Sequence, residues 1–283
     1  MRTTISQILD MARSGQKIPM LTAYDFETAR LLDAAGIPLI LVGDSLGQAV
    51  LGYDSTLPVT MDQMISHASA VVRGAKNAFI VGDMPFMSYQ VSESDAIMNA
   101  GRFLKEAGCQ AVKLEGGRQV VPLVQRLVSY GIPVMGHVGL TPQSINQLGG
   151  PRLQSRTAAQ AKILLEDALA LEHAGAFSVV LELVPAQVSR IVSERLVVPT
   201  IGIGAGPDCD GQVLVISDLL GMNPDFHPKF LKRYADLAET IRTAAQAYAD
   251  EVRGGIFPDR EHSHWMSAEE EALLTGLSRP DVQ

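Results

Sequence analysis

Two stretches of the sequence, LILVGDSLG (residues 39–47) and AFIVGDMPF (residues 78–86), decide the fold prediction. In each, a short apolar run ends on a glycine that an aspartate follows directly, Asp44 in the first and Asp83 in the second. Continuous apolar runs are typical of strands that are buried on both faces, as in a parallel sheet. A carboxylate directly after such a strand would lie at the carboxyl edge of the sheet, where α/β enzymes place their active sites.

The same alternation of short apolar runs and stretches of helical period continues along the chain. Helical candidates at residues 26–36, 93–108 and 157–175 each end on a glycine, which supplies the left-handed stop of a helix. The pattern predicts an α/β fold, a (β/α)8 TIM barrel, and a doubly wound open sheet is the competing architecture. The last two strands are the weakest part, because only eight residues separate them. The strand candidates are residues 18–23, 37–43, 78–82, 110–115, 132–137, 177–182, 198–204 and 213–217.

Segments outside the alternation predict additions to the barrel. Residues 4–15 have the pattern of an amphipathic helix that closes the bottom of the barrel, and residues 228–255 predict one or two long C-terminal helices. We expect residues 1–257 to form a single barrel domain. Residues 258–283 would be a C-terminal tail that is mobile or packs on a neighbouring molecule.

Composition excludes several classes of partner. The net charge of −8 argues against a nucleic-acid groove and against binding to an anionic membrane surface.

Cys109 and Cys209 form no CxxC pair, which favours a reducing compartment. The N-terminus is too polar for a signal peptide, and no apolar run approaches the ~20 residues of a membrane span. The expected location is the cytoplasm.

Polar residues stand at the ends of five predicted strands, so they would converge on one face of the barrel. Two carboxylates that meet there, Asp44 and Asp83, repel each other unless a cation lies between them, and Mg²⁺ prefers such oxygen ligands. The glycine before each aspartate would remove side-chain bulk at the strand mouth. The alternative for each aspartate is a helix N-cap. The strand-end residues are Asp44, Ser45, Asp83, Lys113, Glu115, His137 and Glu182.

The stretch VKLEGG places Lys113 and Glu115 on the same face of a strand. One interpretation is a plain salt bridge between them. The other places Glu115 near the metal, through water, and lets Lys113 supply positive charge to an anionic substrate or a developing oxyanion.

Glu182 interrupts the apolar stretch VVLELVP at a predicted strand end. Burial would raise the pKa of such a carboxylate towards neutrality, which is the profile of a general base. The alternative is a glutamate paired with a neighbouring lysine or arginine. For His137, we expect a substrate contact or a supporting role beside the ligands, with a hydrogen-bonded packing residue as the alternative.

Eight motifs occur in one order between residues 22 and 212: TAYD, VGDSLG, DSTLPVT, DMPF, VKLEGG, GHVGLTPQS, LE before VP, and IGIGAG followed by DGQ. The joint pattern resembles the ketopantoate hydroxymethyltransferase family. The resemblance implies a (β/α)8 barrel and a homo-oligomer, typically a decamer of two pentameric rings. It also implies transfer of a one-carbon unit from 5,10-methylenetetrahydrofolate to 3-methyl-2-oxobutanoate (α-ketoisovalerate), giving ketopantoate for pantothenate synthesis.

The resemblance also implies roles for the strand-end residues. Asp44 and Asp83 would bind a Mg²⁺ ion that chelates the 2-oxo acid, with Glu115 in the shell of the metal. Asp44, Asp83, Ser45 and Lys113 fall at positions that contact the keto acid. Glu182 falls at the position of the proton acceptor, and His137 matches a histidine that lines the site.

Two other functions fit parts of the sequence. Magnesium-dependent lyases and mutases of the phosphoenolpyruvate mutase and isocitrate lyase type also gather carboxylates around an oxo acid. They tend to carry a catalytic cysteine in a loop, whereas Cys109 is predicted at the bottom of the barrel and Cys209 lies past a glycine turn. A barrel that has lost its chemistry and only binds a metabolite is the third possibility, against which the intact set of polar strand ends argues.

Overall fold

The computed structural model describes residues 2–274, and its central element is a closed barrel of eight parallel strands in chain order. Each strand pairs in parallel with the next, and the eighth closes the ring on the first. The predicted (β/α)8 barrel is confirmed and the open sheet is excluded. The strands are β1 (Ile18–Thr22), β2 (Leu39–Val42), β3 (Phe79–Asp83), β4 (Ala111–Glu115), β5 (Val134–Gly139), β6 (Ser178–Glu182), β7 (Thr200–Ile203) and β8 (Gly211–Leu214).

Helices connect most of the strands, and their ends follow the sequence signals. Thr157 caps the helix predicted over 157–175, because its side chain accepts a hydrogen bond from the backbone N–H of Gln160. The described α-helices are α1 (Ile5–Arg13), α2 (Phe26–Ala34), α3 (Leu46–Ala49), α4 (Met61–Gly74), α5 (Glu93–Arg102), α6 (Val121–Ser129), α7 (Ile145–Leu148), α8 (Ala158–His173), α9 (Ala186–Arg195), α10 (Ile216–Leu219), α11 (Leu237–Arg253) and α12 (Ala268–Leu273).

The connection between β7 and β8 contains no helix, as the short spacing in the sequence indicates. The strand β8 begins at Gly211, two residues before the predicted run at 213–217. A Cβ atom on Gly211 would lie 2.5 Å from the carbonyl oxygen of Ile18 in β1. A glycine therefore allows β8 to approach β1 closely enough to close the ring.

The interior of the barrel is filled by one contiguous group of apolar side chains. Ile8 of α1 is fully buried and belongs to this group, together with Ile18, Phe79 and Ile201 near the strand starts. The N-terminal helix thus closes the bottom of the barrel, as its sequence pattern predicts. Because the bottom is sealed, the open end of the barrel is the end where the strands terminate.

The carboxylate of Asp33, near the end of α2, holds the segment that leads into β3. It accepts hydrogen bonds from the backbone N–H groups of Lys76, Asn77 and Ala78 at 3.0, 2.8 and 2.7 Å. Burial alone would raise the pKa of Asp33, but these donors outweigh it and lower the pKa. Since the folded-state pKa is below the unfolded value of about 4, this stabilisation is present above about pH 4 and is lost as the pH falls through the folded-state pKa.

We expect Asp33→Asn to lower the free energy of unfolding by about 1 kcal/mol at neutral pH, because its amide nitrogen would face backbone donors. The difference from the wild type should shrink below about pH 4. Urea unfolding at several pH values measures this difference. Asp10→Asn, on the exposed face of α1, is the control and should change nothing. A difference that does not depend on pH would contradict the charge argument.

The chain divides into two compact units between Tyr234 and Ala235. The first contains the barrel, and the second contains α11 and α12. The domain boundary expected at residue 257 remains a prediction. The predicted tail, 258–283, is helical over α12, and its last nine residues lie outside the described part of the chain. Across residues 2–274, every helix is too short or too polar to cross a membrane.

Candidate active site

All seven predicted site residues line one cavity of ≈ 200 Å³ at the carboxyl ends of the strands, which we call the strand-end cavity. They reach it because alternate residues of each strand face the barrel interior, so that the last inward position of a strand meets the opening. The prediction that these side chains converge is confirmed by their geometry. They are Asp44, Ser45, Asp83, Lys113, Glu115, His137 and Glu182.

Asp44 and Asp83 lie side by side, although 39 positions separate them in the chain. The backbone N–H of Asp44 donates to Oδ2 of Asp83 at 3.2 Å, and both side chains are buried. Burial, followed by repulsion from Asp83, raises the pKa of Asp44 to about 7. The N-cap alternative does not describe Asp44, since the cap position of α3 is Ser45, whose side chain makes no capping bond.

The glycine before Asp83 has a different role from the one its position in the sequence indicates. A Cβ atom on Gly82 would lie 2.2 Å from the ring of Phe103, in the π-helical turn that follows α5. Gly82 therefore faces outward and lets the ring pack against β3, and it opens no space at the strand mouth. For Gly43 the nearest atom to an added Cβ is Oγ of Ser45, at 2.6 Å, so this glycine does leave room beside a site residue.

Lys113 pairs with Asp83 and not with Glu115. Its Nζ lies 2.6 Å from Oδ1 of Asp83, and both side chains are at most 5 % exposed. Burial alone would lower the pKa of Lys113, but the attraction of Asp83, Glu115 and Asp44 outweighs it and raises the pKa. The ammonium group therefore stays charged at the edge of the strand-end cavity. The simple Lys113–Glu115 salt bridge considered from the sequence is wrong.

Gln143, which was not among the predicted site residues, connects the carboxylates. Its backbone N–H donates to Oε2 of Glu115 at 3.0 Å, and its Nε2 donates to Oδ2 of Asp44 at 2.9 Å. Its Oε1 accepts a hydrogen bond from the hydroxyl of Tyr89 at 2.7 Å. The residue lies just beyond the end of β5, in the LTPQS stretch, where no periodicity marks its direction. Gln143 thereby fixes two carboxylates that approach from different strands.

His137 lies between two glutamates. Its Nε2 is 3.2 Å from Oε2 of Glu182, and its Nδ1 is 3.7 Å from Oε1 of Glu115. Burial, followed by repulsion from Lys113, lowers the pKa of His137 although Glu182 opposes this shift. The ring is therefore neutral at neutral pH and has one N–H to donate. The alternative of a lysine or arginine paired with Glu182 is not what the structure has: the residue beside its carboxylate is this histidine, and the Glu182 side chain is 19 % exposed at the cavity.

Ser45 and Thr56 each contribute a hydroxyl group to the lining of the strand-end cavity. The Oγ of Ser45 lies 2.8 Å from the hydroxyl of Tyr24, which follows β1. The Oγ1 of Thr56 is buried and has no hydrogen-bond partner in the described protein. Thr56 and Tyr24 fall within the DSTLPVT and TAYD motifs, but neither was among the predicted site residues.

The residues present fit a divalent cation. Five carboxylates and a single lysine line the strand-end cavity, and Oε1 of Glu115 is buried without a hydrogen-bond partner. Asp44 and Asp83 offer adjacent hard oxygen donors. Within residues 2–274, no three His, Cys, Asp or Glu side chains are already grouped as a complete ligand set. Mg²⁺ is typically held by one or two protein carboxylates, while water and substrate fill its other positions.

The closed barrel and the polar cavity at the carboxyl ends of its strands define an α/β-barrel enzyme. A family model described as "Ketopantoate hydroxymethyltransferase" matches residues 2–260. The chain belongs to this family, and the expectation of a transferase is confirmed. The match also resolves the choice between transferase, lyase and binding protein that the sequence alone left open.

Relatives named 3-methyl-2-oxobutanoate hydroxymethyltransferase match almost the whole chain. The protein of Dehalococcoides mccartyi (strain CBDB1) is 59 % identical over 263 residues, which cover 93 % of this chain and 94 % of the relative. That of Chloroflexus aggregans is 57 % identical over 276 residues, covering 98 % of each chain. That of Carboxydothermus hydrogenoformans is 56 % identical and covers 95 % of this chain and 97 % of its own.

Solved structures with a similar fold come from a wider group of barrels. A phosphoenolpyruvate phosphomutase from Streptomyces platensis subsp. rosaceus superposes with a TM-score of 0.59 at 15 % identity, covering 96 % of this chain and 95 % of that one. A 2,3-dimethylmalate lyase, described as a member of the PEP mutase/isocitrate lyase superfamily, gives a TM-score of 0.58 at 16 % identity, covering 98 % and 96 %. At these identities the likeness shows the fold alone.

Proposed function

We propose that the protein transfers a hydroxymethyl group to 3-methyl-2-oxobutanoate, giving ketopantoate, with 5,10-methylenetetrahydrofolate as the one-carbon donor and Mg²⁺ as the metal. The names of its relatives support the acceptor and the product. The observation that carries the chemistry is the pair of adjacent carboxylates, Asp44 and Asp83, with a glutamate and a lysine at the same cavity.

The metal and the charged residues would orient the keto acid. Asp44 and Asp83 would hold Mg²⁺, with Glu115 acting through water, and the bound ion would polarise the keto oxygen as a Lewis acid. The ammonium group of Lys113, kept charged beside Asp83, would stabilise the negative charge that develops on the substrate. Ser45, held by Tyr24, would donate to a substrate oxygen.

Glu182 would remove the proton from C3 of the keto acid. The carbon that loses this proton is tertiary and weakly acidic, so its ionisation needs both a base and stabilisation of the enolate. His137 would orient the Glu182 carboxylate, because its Nε2 lies 3.2 Å from Oε2. Neither ring nitrogen of His137 forms a hydrogen bond within the described protein, so its N–H remains available to the carboxylate or to the substrate.

The enolate carbon would then attack the methylene carbon of the folate donor. In the net reaction the keto acid, 5,10-methylenetetrahydrofolate and water give ketopantoate and tetrahydrofolate. One carbon–carbon bond forms, the bonds from the methylene carbon to the folate nitrogens break, and the oxygen of water becomes the new hydroxyl. The C3 proton passes to Glu182 and from there to the departing folate or to solvent.

Proton exchange at C3 tests the first half of this proposal without any folate. We expect the protein, incubated with 3-methyl-2-oxobutanoate in D2O, to replace the C3 proton with deuterium when Mg²⁺ is present. NMR of the substrate follows the exchange, and removing the metal with EDTA should stop it. Folded, magnesium-loaded protein that does not accelerate exchange would contradict the proposal.

The unpaired hydroxyl of Thr56 predicts a substrate contact. A buried hydroxyl without a partner costs about 1–3 kcal/mol, which a hydrogen bond to a substrate oxygen would recover. We expect Thr56→Val to raise the KM for the keto acid about tenfold, while the free energy of unfolding stays the same or rises. Steady-state kinetics and urea unfolding measure the two effects.

Ser88 provides a matched control for Thr56. Its Oγ is also buried without a partner, but the residue does not line the strand-end cavity. Ser88→Ala should leave the KM for the keto acid unchanged. If both variants raise KM equally, the effect of Thr56 is general packing, and the proposed contact is wrong.

The homo-oligomer, and the decamer in particular, is also part of the proposal. The helix α11 has no buried residue, and Ile241, Tyr248 and Val252 form an exposed apolar stripe along one side of it. Such a stripe is typical of a surface that another molecule covers. Light scattering should give a mass ten times the 30.4 kDa of one chain.

We further propose that the enzyme works in the cytoplasm.

A further inference from the structure

A second cavity of ≈ 330 Å³ adjoins the strand-end cavity, and we call it the side cavity. Ser45, Val215, Asp218 and Phe226 line both cavities. The two are therefore neighbouring compartments of one opening. Of the residues that line the side cavity, only Ser45 has a role in the steps assigned above, which leaves the rest of its polar and aromatic lining unexplained.

Asp218 is the charged group that faces both compartments. It lies in α10, directly beyond the end of β8, and it is partly buried. Within residues 2–274, its carboxylate accepts no hydrogen bond and forms no ion pair within 4 Å. Burial raises the pKa of Asp218 against the attraction of Arg233, which fits a carboxylate held in a protected position. Both oxygens are free to accept donors from a ligand.

Arg233 fixes the segment around residues 222–226, which forms part of the wall of the side cavity. Its Nη2 donates to the backbone carbonyl oxygens of Asn223, Pro224 and Phe226 at 2.8, 3.1 and 3.0 Å. The segment therefore holds the ring of Phe226, which is 41 % exposed, at the boundary of the two compartments. An exposed aromatic face at this position offers a stacking surface for a flat ring.

These features select a particular kind of ligand. A carboxylate with two free oxygens pairs best with two parallel N–H donors on one rigid edge. A flat heteroaromatic ring would stack on Phe226, and the cavity volume lies in the range of small-ligand sites. A pterin has both the flat heteroaromatic ring and the pair of donors. One edge of its ring carries the N3–H and the 2-amino group side by side.

We propose that the side cavity binds the pterin ring of the one-carbon donor, with Asp218 accepting hydrogen bonds from N3–H and the 2-amino group and Phe226 stacking on the ring. The inference rests on the proposed function, because it identifies where the second substrate of that reaction lies. The shared wall at Ser45 brings the carbon carried by the pterin next to the keto acid in the strand-end cavity.

Binding of two ring probes tests the role of Asp218. Pterin and lumazine have the same ring system, but pterin has an amino group at C2 where lumazine has an oxo group. We expect the full-length wild type, loaded with Mg²⁺ and keto acid, to bind pterin at least tenfold more tightly than lumazine in titration calorimetry. Asp218→Asn should abolish this preference, because an amide cannot accept both hydrogen bonds.

The control variant is Asp225→Asn, an exposed aspartate in the same segment as Phe226 that does not line the side cavity. It should keep the preference for pterin. If Asp218 had only a structural role, Asp218→Asn would lower the affinity for both probes equally and leave the ratio of the two affinities unchanged. That result would overturn the inference. A wild type that does not discriminate between the probes would overturn it as well.

The outcome is separable from that of the proposed function. Exchange of the C3 proton in D2O needs no pterin and tests the keto-acid chemistry alone. If exchange occurs and the probes are not discriminated, the pterin site is wrong and the keto-acid chemistry stands. If the wild type prefers pterin and Asp218→Asn does not, but exchange is absent, the site stands and the proposed chemistry fails.

Discussion

Glu182→Gln is expected to lower the rate of metal-dependent C3 proton exchange by about 10²–10⁴-fold, which is the usual contribution of a general base. Glutamine has the shape of glutamate and can keep the contact with His137, but it cannot take up the proton. Titration calorimetry should therefore find Mg²⁺ and the keto acid bound about as tightly as in the wild type. The expected signature is loss of chemistry with retention of binding.

The control for Glu182 is Glu194→Gln, which removes an exposed carboxylate from α9, the helix that follows the same strand. Its exchange rate should equal that of the wild type. Exchange at the wild-type rate in Glu182→Gln would remove this residue from the role of base. A loss of keto-acid affinity equal to the loss of rate would instead identify Glu182 as a binding residue.

Asp83→Ala should lower both the affinity for Mg²⁺ and the free energy of unfolding. It removes one of two adjacent carboxylates and leaves the buried ammonium group of Lys113 without its partner at 2.6 Å. Breaking a buried ion pair in this way costs about 3–5 kcal/mol, and relief of the repulsion on Asp44 places the expected loss near the lower end. Mg²⁺ affinity should fall at least tenfold.

Calorimetry and chemical unfolding measure the two effects of Asp83→Ala. Asp83→Asn serves where the alanine variant does not fold, because its amide oxygen can still accept a hydrogen bond from Lys113 while the ligand charge is gone. Asp62→Ala removes an exposed partner of Arg102 and should alter neither quantity. Wild-type affinity for Mg²⁺ in a folded Asp83 variant would contradict its assignment as a ligand.

The sequence predicted the barrel and the location of the site because both depend on local patterns. Each apolar run marks a strand, and the polar residue that ends it must lie at the open end of a parallel barrel. The predicted convergence of Asp44, Asp83 and Glu182 therefore needed no knowledge of loop conformation. The start of β8 was missed because Gly211 is not apolar, although it allows the closest approach to β1.

The partners of the site residues could not be predicted in the same way. Whether Lys113 pairs with Asp83 or with Glu115 depends on the register between β3 and β4, in which Asp83 lies opposite Lys113. Gln143, Thr56 and Asp218 lie outside the strands, where hydrophobic periodicity does not determine the direction of a side chain. Their roles became visible only through unpaired atoms, hydrogen bonds and cavity walls.

Closure of the barrel has a consequence for how the protein folds. The backbone N–H of Ile216 donates to Oγ1 of Thr22 across 194 positions of the chain, where the end of the barrel returns to its beginning. Contacts of such long sequence separation carry a high loop-closure entropy and form slowly. During refolding, helical signal should therefore return before metal affinity does, because the last wall of the opening is assembled only when the two distant ends of the ring meet.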